Sequence, residues 1–130
     1  LMIQIPKIKE GTPGQFISAL FLSRTQAHIY HLQTTSFAAH KALNEFYNGI
    51  IDIADSLTES YQGKYGIIKG YDAGSVKEDI DYIKYFESLR TYITSSRYTI
   101  FKQSDSELQN IIDEATDLLN TTIYKLKFLK

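Results

Sequence analysis

Cysteine is absent from the 130 residues, and its absence removes both a disulfide framework and any thiolate metal site. A dominant charge is missing as well: 14 Lys and Arg stand against 15 Asp and Glu, a net of −1. Neither end carries a cationic run on the scale of a nucleic-acid-binding arm, and Lys125, Lys127 and Lys130 are spaced as an exposed helix flank. Duplex DNA is therefore not an expected partner. The longest apolar run, Phe16 and Ile17 with Ala19 to Leu22, is interrupted by Ser18 and far too short to span a bilayer, so no membrane partner is expected either. The apolar start from Leu1 to Ile5 runs into Pro6 and alternating lysines without a cleavage-site pattern. The expected location is the cytosol, with Met2 as the natural start. No internal repeat and no low-complexity segment is found.

What remains is an ordinary globular composition, 43% hydrophobic and 22% charged, of a length that makes one domain over residues 1–130. Residues 1–11 read as an extended arm ahead of Thr12. That residue is a good N-cap, with Pro13 at the first helical position and Gln15 placed for a capping box. Helices are expected over about 13–32, 37–62, 75–101 and 105–129, opened by Thr12, Ser36, Ser75 and either Ser104 or Asp105. The second helix has two usable stripes: Leu43, Phe46, Ile50, Ala54 and Leu57 for the core, and His40, Asn44, Tyr47, Ile51 and Asp55 beside it. Gly63 to Gly74 is the one long loop, and at about 3.3 Å per residue it spans roughly 40 Å. Four amphipathic helices of this size predict an all-α four-helix bundle.

Four potential metal ligands fall in one stretch as H-x11-H-x14-D-x3-E: His28, His40, Asp55 and Glu59. A short turn through Gln33 to Ser36 can bring the histidines together, and Asp55 and Glu59 stack on one helix face. Imidazole and carboxylate together suit Fe(II) and leave positions for an oxidant. At 1.5 Å of rise per residue, however, His40 and Asp55 lie roughly 22 Å apart along the helix. One chain cannot close the site. Two chains paired antiparallel about a two-fold axis can, each giving its histidines to the other's carboxylates.

This spacing resembles the intersubunit ferroxidase centre of Dps-like mini-ferritins, ferritin relatives that oxidise iron with peroxide. Gln26-Ala27-His28 looks like the Q-A-H of the family motif, and Asp52-x-x-Asp55-x-x-x-Glu59 like its D-x-x-D-x-x-x-E. The motif resemblance covers residues 26–59. It implies a ferritin-like four-helix bundle with a long connection between helices 2 and 3. It further implies Fe(II) oxidation by hydrogen peroxide or dioxygen at a mono-iron or di-iron site whose catalytic ligands are His28, His40, Asp55 and Glu59. His31 is then an additional ligand, and Asp52 holds a second ion or orients a ligand. A homo-oligomer built from the two-fold dimer up to a dodecamer, iron storage and protection from oxidative stress also follow from the resemblance. The chain departs from the family pattern in three places. Asn44 stands where an acid is usual, Ile29 stands where the family has Trp, and the connection has hardly room for the family's short extra helix. The alternative is a non-enzymatic ferritin-like structural or interaction module, for example a bacteriophage protein, with vestigial ligands.

Overall fold

A computed structural model describes residues 11–78 and 81–130, so the expected arm lies outside the described residues except for Gly11. Four helices make up the described chain: α1 (Pro13–Gln33), α2 (Phe37–Tyr65), α3 (Tyr82–Ile100) and α4 (Ser106–Phe128). No β-strand occurs among the described residues.

Each helix start has a local chemical cause. Thr12 closes a capping box with Gln15 ahead of Pro13, satisfying two backbone donors that the first turn leaves without partners. Ser36 Oγ accepts from the Ala39 amide at 3.1 Å, and the Asp81 carboxylate accepts from the Ile83 amide at 2.9 Å. α2 runs through Gly63 and stops only at Gly66, whose φ of +99° lies in the region that disfavours a side chain. The connection between α2 and α3 is therefore residues 66–81, and Ser75, expected to open the third helix, lies inside it.

The core is a stack of large apolar side chains from all four helices. Phe16, Leu20, Leu43, Phe46, Ile50, Leu57, Phe86, Ile93, Leu108, Ile112 and Leu119 are all buried, each worth about 1.5–3 kcal/mol of transfer free energy. Phe46 meets Phe86 edge-on at 4.8 Å, and Phe16 meets Phe101 edge-on at 5.1 Å. α1 packs beside α2 and α3, and α4 packs beside the same two.

Helix directions follow from what the connection touches. It meets α1 at Gly14, where a Cβ would lie 2.5 Å from the Lys69 carbonyl oxygen and 2.9 Å from that of Gly70. One turn later Ser18 Oγ accepts from the Asp72 amide at 2.8 Å. Leu22 lies under Gly74, and Gln26 then holds Lys77 by both amide atoms, at 2.7 and 2.6 Å. The spacing of four residues on α1 shows a strap running parallel to that helix. It delivers α3 to the end where α1 finishes, where Tyr82 lies 6.0 Å from Tyr30. α3 returns to the other end, where Phe101 reaches Phe16. The order is up, down, down, up, which is the ferritin-like arrangement.

Candidate functional site

The histidines gather where α1 ends and α2 begins. Thr34 Oγ1 accepts from the Ser36 amide and Ser36 caps α2, so the turn is short and its flanking residues face each other. His31 and His40 lie one on each side of that turn. Their rings stack with centroids 3.6 Å apart and planes 19° apart. His31 Nδ1 donates to the His40 carbonyl at 2.7 Å, and His40 Nδ1 donates to the His31 carbonyl at 2.8 Å. A carbonyl oxygen only accepts, so both rings carry a proton on Nδ1, and a neutral ring is left with a lone pair on Nε2. His28, one turn back on α1, stacks on Tyr47 at 4.4 Å and stands 5.8 Å from His31. All three histidines are half-buried.

Asp52, Asp55 and Glu59 lie farther along α2, and all three are exposed. None of them forms an ion pair among the described residues. Within one chain, no three His, Asp or Glu side chains among the described residues converge as a metal-binding group. The arrangement has a further geometric consequence. A ligated ion lies in the plane of its imidazole, and two planes nearly parallel at 3.6 Å cannot both contain it, so His31 and His40 as stacked cannot hold the same ion. The planes of His28 and His31 are 61° apart, so that pair does not meet the same obstacle. Asn44 and Ile29 are half-buried.

The opposite end of the bundle is held by a different polar set. Arg97, buried near the end of α3, donates from Nε to Gln109 Oε1 at 2.8 Å and from one terminal nitrogen to the Gln109 carbonyl and to Asp113. Gln109 Nε2 in turn reaches the carbonyls of Arg97, Phe101 and Lys102, of which those of Arg97 and Lys102 also accept from the Phe101 and Asp105 amides. Beside it, Asp105 opens α4 but gives its carboxylate to Lys64 at 2.6 Å and Tyr65 at 2.5 Å. The Lys64 and Tyr65 hydrogen bonds hold the Asp105 carboxyl below its ordinary range, and the same bonds to Asp105 raise both Lys64 and Tyr65. Burial pushes the Tyr85 hydroxyl far up. These groups tie α2, α3 and α4 together.

Two residues carry more than sequence reasoning assigned them. Gln26, the first letter of the Q-A-H word, is buried and spends both amide atoms on the strap. Tyr47 is the ring that packs against both His28 and His31, the second at 5.3 Å.

Fold and polar ends together define a ferritin-like four-helix bundle in which the strap replaces any extra helix between α2 and α3. The chain belongs to a family of unknown function, DUF5856, whose sequence profile matches residues 31–126. It is similar to an uncharacterized 14.6 kDa protein of the mobD-ri intergenic region of Enterobacteria phage T4. The two are 25% identical over 121 residues, covering 91% of this chain and 90% of that protein. No solved structure matches the chain. No helix among the described residues is long and apolar enough to cross a membrane.

Proposed function

We propose that this protein binds Fe(II) between two copies of itself and oxidises it in the manner of a Dps-like mini-ferritin. His28 and His40 come from one copy, and Asp55 and Glu59 from the other. Iron is the substrate here, and hydrogen peroxide or dioxygen takes its electrons. The observation that carries the reading is the tie between His40 Nδ1 and the His31 carbonyl. A metal-binding histidine characteristically donates its other ring nitrogen to a carbonyl or carboxylate, which fixes the tautomer and aims the lone pair. The exposure of Asp55 and Glu59 on the same helix supports a ligand set completed from outside the chain. His31 and Asp52 are auxiliary, the first holding His40 in place and the second adding charge beside the carboxylates. A cytosolic shell of twelve such chains that stores the product is the fullest form of this reading.

The test mixes two inactive variants. His40→Ala subunits unfolded and refolded together with Asp55→Ala subunits regain one intact site per heterodimer, and Fe(II) oxidation returns to a fraction of the wild-type rate. Heterodimers that form without recovering activity overturn the shared site.

A second reading is favoured by the His31 and His40 stack. Here the rings serve as a clasp for the α1 to α2 turn, and the protein is a ferritin-like structural module without oxidase chemistry, as the phage relative makes natural. Peroxide-driven oxidation no faster than with iron in buffer, together with a loss of thermal stability in His40→Ala, selects this reading.

A further inference from the structure

His28 and His31 are three residues apart on α1 and therefore share a face. Their ring centroids are 5.8 Å apart with planes 61° apart, a separation that one ion can bridge at metal–nitrogen distances of about 2.0–2.1 Å to each ring. His31 Nδ1 is committed to the His40 carbonyl, leaving Nε2 as the donor atom. Tyr47 packs flat against His28 and edge-on against His31, so both rings are buttressed from α2. No carboxylate takes part. Two imidazoles with no protein oxygen ligand favour borderline divalent ions such as Zn(II), Ni(II) and Cu(II) over Mg(II) and Ca(II).

We propose that His28 and His31 form a two-histidine seat for a borderline divalent transition-metal ion within a single chain, water completing its coordination. The seat shares His28 with the intersubunit iron site but does not rest on that reading, since neither a second copy nor a carboxylate enters it. When filled, it withdraws His28 from iron, and zinc acts as an inhibitor of any oxidation at the shared site.

Calorimetric titration with zinc chloride tests it, with magnesium chloride as the control and imidazole signals followed by NMR. The expected result is one Zn(II) per chain, perturbation of the His28 and His31 signals, and no response to magnesium. His31→Ala weakens zinc by at least about tenfold, equivalent to ~1.4 kcal/mol. His28→Phe keeps a ring against Tyr47 while removing both nitrogens, and it loses zinc to the same degree with its helical circular dichroism intact. The double variant Asp55→Ala, Glu59→Ala removes the shared site and binds zinc as the wild type does. Absence of saturable binding, undiminished binding in His28→Phe, or loss of zinc in the carboxylate variant each overturns the proposal. The last of these assigns the metal to the intersubunit site instead, so the two ideas fail separately.

Discussion

The two ends of this bundle solve one problem with different chemistry. At each, a helix hairpin turns and its two arms are tied by side chains that reach backbone carbonyls. At the α3 to α4 end, Arg97 and Gln109 do so from buried positions, and every polar atom of the Gln109 side chain is engaged. At the α1 to α2 end, two half-buried imidazoles do so, and each has a nitrogen left over. A buried amide network is committed wholly to stability. A histidine clasp holds the turn with one edge and keeps a ligand atom on the other, and that is the physical reason for seeking chemistry at this end.

The largest effect expected from breaking this contrast is at the buried end. Gln109→Leu leaves the buried Arg97 Nε without its acceptor and the Phe101 carbonyl without the Gln109 amide, and is expected to cost about 3 kcal/mol in urea unfolding. A cost below about 1 kcal/mol would mean that water replaces the amide and that the end is not closed. Gly14→Val comes next. Its new side chain meets strap backbone at Lys69 and Gly70, so about 2 kcal/mol of overpacking is expected. Amide exchange should quicken at Asp72 and Lys77, and unchanged protection there would show that α1 yields instead of the strap.

His40→Phe probes the other end. It keeps a ring for the stack and loses one hydrogen bond, for a cost of about 1 kcal/mol in thermal unfolding, while iron oxidation should vanish if the shared site exists. A loss as large as that of Gln109→Leu would make the two ends equivalent and the clasp purely structural.

The smallest effect concerns pH. Asp105 is lowered from 3.8, so its contribution is present above that value and disappears as pH falls through the still lower folded value. Lys64 and Tyr65 are raised from 10.5 and 10.0, so theirs is present below those values and fades as pH climbs through the higher folded ones. The gap in melting temperature between wild type and Asp105→Asn should therefore be widest near neutrality and narrow in both acid and alkali. A gap independent of pH would remove the ion pair from the account.

The fold class was legible because its determinants are local. Thr12 with Gln15, Ser36 ahead of an apolar period, and a long glycine-bearing connection all act within a few residues. The start of α3 was not. Ser75 and Val76 continue a helical pattern, but the Lys77 backbone is held by Gln26, fifty-one residues earlier in the chain, and a tertiary contact outweighs a local propensity. The same holds at the candidate site. The histidines and carboxylates stand out as residue types, and their separation along α2 follows from helix rise alone. Which histidine faces which depends on the turn, and there His31, not His28, takes the place beside His40. Asp105 likewise has the sequence position of a cap, yet its carboxylate is claimed by Lys64 and Tyr65 from α2.

The strap also sets an order of assembly. The clasp at His31 and His40 joins residues nine apart and the Arg97 to Gln109 contact residues twelve apart, whereas Ser18 to Asp72 and Gln26 to Lys77 close loops of fifty-four and fifty-one. Loop closure costs entropy that grows with length, so the two hairpins form first and the long-range latches last. The molecule is in effect two self-starting halves buckled together, and a protease that cuts an unlatched strap would leave both hairpins sharing one core.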